Sequence, residues 1–318
     1  MSPPPARHSP RVGIVLVNYN GMVFMPDCLA SLARIDYPEA RVVVIDNASR
    51  DGSPAWVREH HPEVALVELD RNTGITGGNN AGITWCREHD CDAILFLNND
   101  TVVEPDFLSR LMAHAASDAM LVPRIYYHER RDLLNNHFGD FNYWRGTHVD
   151  RFFNRPGSAA PTTVQTGTMA NTCALLCPRN LIERVGMMDD AIFLYYDDVD
   201  FITRAVALGA TVKLVPDAVI YHRESSTSGG YGGPLTMYYA TRNRLYFMFK
   251  HQKNPVMLAA FLAFFGATRV PLICRFILSR RPDLAQAMSR GIMDYVAGRM
   301  GAAPPGRIPA APRPPARG

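Results

Sequence analysis

Cysteine is sparse, with six residues (Cys28, Cys86, Cys91, Cys173, Cys177 and Cys274) in 318. Only Cys173 and Cys177 lie close together, and no further soft ligands accompany them, which speaks against a zinc site. Buried free thiols in a reducing compartment are the expectation. Charge of one sign is also lacking: the net charge of +3 leaves no electrostatic footprint for a nucleic-acid partner, and none is expected. The stretch Met1 to Pro10 carries four prolines and no apolar core, so no conventional signal peptide is read there, and handling by the export machinery is not expected. Internal repeats are absent, and no apolar run reaches the ~20 residues of a confident membrane span. Hydrophobic residues at 47% and charged residues at 20% exclude a disordered chain. The length suits one large α/β domain with an appendage, or two small domains.

What is present is an alternation. Residues 12–18 form a nearly continuous apolar run, as expected of a parallel strand buried on both faces. Phe24, Cys28, Leu32 and Ile35 then fall near one helical face. A second strand, Val42 to Ile45, ends in Asp46-Asn47-Ala48-Ser49. A short helix over 54–60, a third strand from Val64 to Leu69, and a Gly-rich turn from Asn72 to Gly78 follow. That turn leads into a helix ending near Glu88, and a fourth strand, Ala93 to Leu97, runs into Asn98-Asn99-Asp100. This pattern predicts a doubly wound, mostly parallel sheet, with its ligand crevice at the carboxyl ends of the strands.

The second half reads differently. Residues 125–165 are rich in Tyr, His, Arg, Asn and Phe without clear period, as in a long connection or irregular sheet edge. Helices are expected over 178–186 and 197–208, a strand from Val212 to Val215, and an extended segment from Ala218 to His222. A glycine-rich loop, Ser228 to Gly233, precedes a helical stretch over 235–250 that carries Arg242, Arg244 and Lys250. Val256 to Ala267 is a twelve-residue apolar run flanked by Lys253, Arg269, Arg275, Arg280 and Arg281. It fits either an interfacial amphipathic segment or a buried core helix. The domain reading is a disordered start over 1–10, a catalytic domain over 11–234 (nucleotide half 11–120, acceptor half 121–234), a helical extension over 235–300, and a disordered tail over 301–318.

Four constellations carry chemistry. Tyr19, within Asn18-Tyr19-Asn20, and Asp46 stand at adjacent strand ends, where an aromatic ring and a carboxylate can hold a nucleobase and ribose; Asp46 also suits a simple turn cap. Asn72, Gly74, Gly78 and Asn79 form a glycine-rich approach to a helix N-terminus, which favours phosphate. It lacks the dinucleotide-fingerprint spacing. Asn99 and Asp100 follow the fourth strand, where a lone carboxylate suits Mg²⁺ or Mn²⁺ that takes further ligands from phosphate and water; a helix cap is the other use. Asp197, Asp198 and Asp200 open a helix, where the dipole favours them. They follow the apolar Phe193-Leu194-Tyr195-Tyr196, which would raise a carboxylate's pKa and suit it to general-base work. His222, after a strand, could complete a metal shell or be structural.

With these residues in view, the chain resembles glycosyltransferase family 2, in its bacterial rhamnosyltransferase-like branch, over roughly residues 11–250. The block Val185 to Arg204, Val-Gly-Met-Met-Asp-Asp-Ala-Ile-Phe-Leu-Tyr-Tyr-Asp-Asp-Val-Asp-Phe-Ile-Thr-Arg, is similar to the family's Gly-x-Phe-Asp-Glu … Glu-Asp-x-Asp-Leu segment. Val-Asn-Tyr-Asn-Gly and Val-Ile-Asp-Asn-Ala-Ser-Arg-Asp-Gly-Ser are similarly close. The resemblance implies an inverting GT-A fold and a nucleotide-diphosphate sugar donor. It places Tyr19 and Asp46 at the base, Asp100 at the metal-binding Asp, Asp198 at the catalytic base and His222 at a further metal ligand. Asn98 stands at the first Asp of Asp-x-Asp, Asp197 replaces a Glu, and Asn79 stands where many members carry Arg. The Gln-x-x-Arg-Trp motif of processive synthases is absent, which implies single-sugar transfer.

The resulting expectation is transfer of one sugar, from dTDP-rhamnose or a UDP-hexose, to a saccharide or lipid-linked saccharide. It would take place in cell-surface polysaccharide synthesis at the inner face of a membrane. A nucleotidyltransferase would carry a cationic Gly-rich loop after the first strand; Asn18-Tyr19-Asn20-Gly21-Met22 has no cation. A non-catalytic nucleotide-sugar-binding module is the remaining alternative.

Overall fold

A computed structural model describes residues 9–223 and 232–310. The first half alternates as expected: β1 (Val12–Asn18), α1 (Met25–Leu32), β2 (Ala40–Asp46), α2 (Ser53–His60), β3 (Ala65–Glu68), α3 (Gly74–Glu88) and β4 (Ala93–Asn98). Then come β5 (Thr101–Val103), α4 (Phe107–Met112), β6 (Ala119–Tyr127), β7 (Phe138–Asn142), β8 (Thr147–Asp150), β9 (Gln165–Gly167), β10 (Met169–Ala170) and β11 (Ala174–Pro178). The chain closes with α5 (Arg179–Val185), α6 (Asp197–Ala207), β12 (Thr211–His222), α7 (Pro234–His251), α8 (Pro255–Leu278) and α9 (Pro282–Val296).

The central sheet runs β3-β2-β1-β4-β11-β6-β12-β5, with β9 on β12. β3, β2, β1 and β4 are parallel, as are β6 and β12. Strand order turns back at β1, which lies between β2 and β4, the switch point where such sheets open a ligand crevice. Alternation along β1 feeds two cores: Ile14 and Leu16 pack with α1, α2 and α4, while Val15 packs with α3, α5, α6 and α7.

Three departures from the expected pattern have physical causes. Residues 125–165 hold β7 and β8, two strands of a second sheet that β10 completes; both are too short to show a period. Val212–Val215 and Ala218–His222 form one strand, with a register shift between Val215 and Val219; it falls at Pro216-Asp217, where proline cannot donate to the ladder. The glycine-rich segment 74–78 is the first turn of α3 rather than a turn before it.

The C-terminal region differs most. The twelve-residue apolar run is part of α8, one helix of 24 residues, roughly 36 Å long. Thr268 does not break it, because its hydroxyl donates to the Phe264 carbonyl at 2.8 Å. This helix is long and apolar enough to cross a membrane, with mean hydropathy 1.9, and 11% of its apolar window is buried. The core-helix reading is thereby corrected: only Phe261 and Phe265 are buried. The cationic residues of α7 are engaged within the protein. Arg242 and Arg244 are buried, and Lys250 pairs with Asp189 and Asp200 at 2.5 and 2.6 Å.

Residues 301–310, expected as disordered tail, pack back on α7 and α9; residues 311–318 lie outside the described residues, as do 1–8 and most of the Ser228–Gly233 loop. The strap holds through polar contacts that composition does not reveal. Arg242 donates to the Gly301 carbonyl at 2.7 Å, and the Tyr239 hydroxyl accepts from the Ala303 amide at 2.8 Å. Asp294, fully buried, accepts from Arg299, Arg307 and Tyr238 at 2.5–2.8 Å. Burial alone would raise its pKa, but Arg307, Tyr238 and Arg299 outweigh that and hold it well below the carboxylate range.

A depressed folded-state pKa means that this contribution is full above the unfolded carboxylate value, about 4, and is lost as pH falls through the folded value. Asp294→Ala is expected to speed hydrogen exchange of amides 301–308 about tenfold or more, relative to β1 amides. In wild type the same segment should open as pH drops below about 4. Unchanged exchange in the variant would show that the strap is held by packing alone.

Candidate functional site

The carboxyl ends of β1, β2 and β4 meet at one side chain. Asn18 is fully buried. Its Nδ2 lies 2.8 Å from Asp46 Oδ1 and 2.8 Å from Ser53 Oγ, while its Oδ1 accepts from Asn99 Nδ2 at 2.9 Å. Asp46, 2% exposed, accepts the Ser49 amide at 2.9 Å with its other oxygen. Asn18 and Asp46 were expected to touch the nucleotide; both are instead buried beneath the loops, off the cavity wall, and position those loops.

Above them opens a cavity of about 1030 Å³, lined by Tyr19, Asn47, Asn72, Gly74, Asn98, Asn99, Asp100 and His222. Tyr127, His137, Phe153, Asn154, Phe193, Leu194, Tyr195 and Leu235 line it as well. Tyr19 is 45% exposed, leaving a ring face for a planar ligand. Asp100 and His222 face each other across the β4 and β12 ends, His222 Nε2 lying 3.1 Å from Asp100 Oδ1. Burial opposes protonation of His222, but Cys173 and Asp100 outweigh it and hold its pKa well above the ordinary imidazole value.

The expected phosphate cradle is corrected. The Thr73 amide donates to Asn47 Oδ1 at 3.1 Å, the Gly74 amide to Asn72 Oδ1 at 2.9 Å, and the Ile75 amide to the Phe193 carbonyl at 3.1 Å. These amides at the start of α3 are therefore taken by protein acceptors. Gly74, at φ +76°, sits so close to Phe193 that a Cβ would lie 2.1 Å from its carbonyl oxygen. Gly78 is inside α3, where a Cβ would meet Val17 at 2.5 Å; its role is helix–strand packing. Asn79 is buried, with Nδ2 3.6 Å from Met188 Sδ.

The three α6 carboxylates separate by environment. Asp200 is fully buried and bonded to Arg204, Lys250 and His251 at 2.6–2.8 Å. Burial would raise its pKa, but His251, Lys250 and Arg204 hold it low. Asp197 is 5% exposed, and burial, then the Asp198 charge, push its pKa well up. None of the three α6 carboxylates lines the cavity: Asp200 is an ion-pair anchor and Asp197 is enclosed. Asp198 is half-buried; burial raises its pKa, moderated by the His148 charge, the Val199 amide, the His137 charge and the Thr172 amide.

Among the described residues no three His, Cys, Asp or Glu side chains converge as a metal cage. One carboxylate oxygen and one imidazole nitrogen do fit a Mn²⁺- or Mg²⁺-type ion that completes its shell with diphosphate and water. Sequence reasoning missed Asn47, which clamps the start of α3, and the aromatic residues of 127–154. The Asp-Asn-Ala-Ser ending of β2 was the available signal for Asn47.

The family profile described as glycosyl transferase family 2 matches residues 13–173. The chain belongs to that family. It is a glycosyltransferase. A dTDP-rhamnosyl transferase, RfbF, of Shigella flexneri is 22% identical over 269 residues, covering 81% of this chain and 86% of the relative. An N-acetylglucosaminyl-diphospho-decaprenol L-rhamnosyltransferase of Mycobacterium tuberculosis is 25% identical over 240 residues, covering 68% and 77%. Among solved structures, the mannosyltransferase PcManGT of Pyrobaculum calidifontis, in complex with GDP-Man and Mn²⁺, superposes with a TM-score of 0.57 at 18% identity, covering 92% and 89%. S. aureus TarS with UDP-GlcNAc gives 0.55 at 17%, covering 94% and 82%. These likenesses show the GT-A fold of this family 2 glycosyltransferase.

Proposed function

We propose that this enzyme transfers one sugar, with inversion, from a nucleotide-diphosphate donor to a saccharide or lipid-linked saccharide in cell-surface glycan synthesis. A dTDP-rhamnose donor is the first candidate, supported by the names of the rhamnosyltransferase relatives, and a UDP-hexose the second. The observation that carries the reading is the Asp100–His222 pair at 3.1 Å, in the cavity that Tyr19 also lines.

In the reaction an acceptor hydroxyl oxygen attacks the anomeric carbon from the face opposite the diphosphate. The new C–O bond forms as the bond to the diphosphate oxygen breaks. The electron pair leaves on the nucleoside diphosphate, and the hydroxyl proton passes to a base. A divalent ion, when bound, stabilises the charge on that leaving group. Asp100 and His222 would hold it, Tyr19 would stack on the base, and Asn72 and Asn99 would edge the donor. Asp198 would be the base: burial raises its pKa, and it keeps partial exposure, which supports that role.

Membrane docking is part of the same reading. α8 exposes Val256, Leu262, Val270, Ile277 and Leu278, and Lys253, Arg275 and Arg280 remain exposed around it. An apolar helix with cations at its ends suits the anionic inner face of a cell membrane.

Calorimetry with a panel of nucleoside diphosphates should show one that binds only with Mn²⁺, and Asp100→Ala should weaken that binding about tenfold or more. Metal-independent binding, or binding unchanged in the variant, would remove Asp100 from the metal site. Asp198→Asn should lower kcat by ~10²–10⁴ with the nucleotide Kd unchanged; near-normal turnover would reassign the base. In flotation assays the protein should rise with vesicles containing anionic lipid, and the double variant Leu262→Glu/Ile277→Glu should stay below. A wild-type protein that stays below would refute docking through α8.

A further inference from the structure

The cavity has aromatic lining residues that the donor reading does not use. Tyr127, Phe153 and His137 form a continuous aromatic row along it. Tyr127 and Phe153 rings lie 6.4 Å apart at 47°, and Phe153 stacks on His137 at 4.0 Å and 27°. All three are half-buried and line the cavity. The neighbouring Phe152 behaves differently: it packs on Phe138 with ring centroids 6.2 Å apart, as part of the main core. Successive residues after β8 are thus divided, one into the core and one into the cavity.

The row is also built rather than incidental. His137 Nδ1 lies 3.2 Å from Asp150 Oδ2, which orients the imidazole. Tyr127 donates its hydroxyl to Asn154 Oδ1 at 2.6 Å. Asn154 holds φ +56°, a left-handed conformation that asparagine tolerates better than most residues. The row starts beside the metal candidate, because Tyr127 pairs with His222 in the β6–β12 register.

We propose that Tyr127, Phe153, His137 and Asn154 form the acceptor subsite and take a pyranose ring of the acceptor saccharide. This rests on the glycosyltransfer reading and names the acceptor side of the same cavity. A pyranose presents a C–H face to aromatic rings and hydroxyls around its rim, the pairing offered by flat rings edged with an amide, a phenol and an imidazole. A polyprenyl chain would be matched by a continuous aliphatic groove, which these residues do not make. A nucleobase has its own exposed ring in Tyr19. A ring stacked on this row lies next to the Asp100–His222 pair, because Tyr127 and His222 are register partners.

The test uses the full chain, Mn²⁺ and the nucleoside diphosphate that binds best, with methyl pyranosides of glucose, N-acetylglucosamine, mannose and rhamnose as probes. Saturation-transfer NMR on wild type should show at least one pyranoside bound, with the strongest signals from one C–H face of the ring. Phe153→Leu and Tyr127→Leu should weaken that binding about tenfold, with thermal midpoint and nucleotide Kd unchanged. Phe153→Tyr should retain binding. If nucleotide binds but no pyranoside does, or if both Leu variants bind pyranoside normally, the subsite is overturned. A parallel loss of nucleotide affinity would assign the row to the donor and also overturn it. If neither ligand binds wild type, the donor reading and this one fall together.

Discussion

The site depends on a single buried amide. Asn18 closes three strand ends because it donates and accepts at once: Nδ2 toward Asp46 and Ser53, Oδ1 from Asn99. An aspartate there would put a second carboxylate against Asp46. An apolar residue would leave Asp46 and Asn99 short of partners in a buried place, at ~1–3 kcal/mol each. The consequences run outward. Asp46 holds the Ser49 amide, Ser53 donates to Asp51, and Asp51 accepts the Met22 amide at 2.8 Å, so the loops after β1 and β2 are tied together. Asn99, fixed from below, sets Asp100 beside it, and Tyr19 stands next to Asn18. The floor of the cavity follows from one hydrogen-bond pattern.

Its far wall depends on α7. Asn243, fully buried, donates to the Leu194 and Tyr195 carbonyls at 2.9 and 3.0 Å. These bonds hold two successive tyrosines at φ +64° and +72°, a conformation costing ~1–3 kcal/mol per residue that surrounding contacts must over-determine. Tyr196 adds its own restraint by donating to the Gly146 carbonyl at 2.6 Å. Arg242 carries the linkage on to the strap at Gly301. The C-terminal extension is therefore not an appendage to a finished domain: it shapes the wall formed by Phe193, Leu194 and Tyr195.

The sheet was legible because β1, β2 and β4 are continuous apolar runs ending in polar residues, a pattern with one structural solution in an α/β chain. Tyr19, Asp100 and His222 were legible for the same reason, since strand ends point into the crevice. Asn18 and Asp46 were legible as strand-end polar residues, but their burial was not, because it depends on which loop folds over the strand end. The glycines at 74 and 78 misled similarly: the bare spacing does not separate a phosphate cradle from close packing against Val17 and Phe193. The aromatic row was not legible because Tyr127 ends β6 while His137, Phe153 and Asn154 lie outside the strands, so no period links them. The length of α8 was hidden by Thr268 and Arg269, which end the apolar run, and by Pro271, whose helix-breaking tendency is overridden.

The acidic run at the start of α6 shows how tertiary charge placement resolves a motif. Three carboxylates within four residues of one another cannot all stay ionised in a poorly solvated place unless cations or amides meet each one. The structure meets only one fully: Asp200, with Arg204, Lys250 and His251 around it. Asp197 has burial and a like charge beside it, and both push its pKa up. Asp198 lies between these extremes, with amides and two imidazoles moderating the effect of burial and some solvent access remaining. One cluster thus holds three carboxyl groups in three different environments, and Asp200 is set apart as the anchor for α7 by residues some fifty positions away, Lys250 and His251.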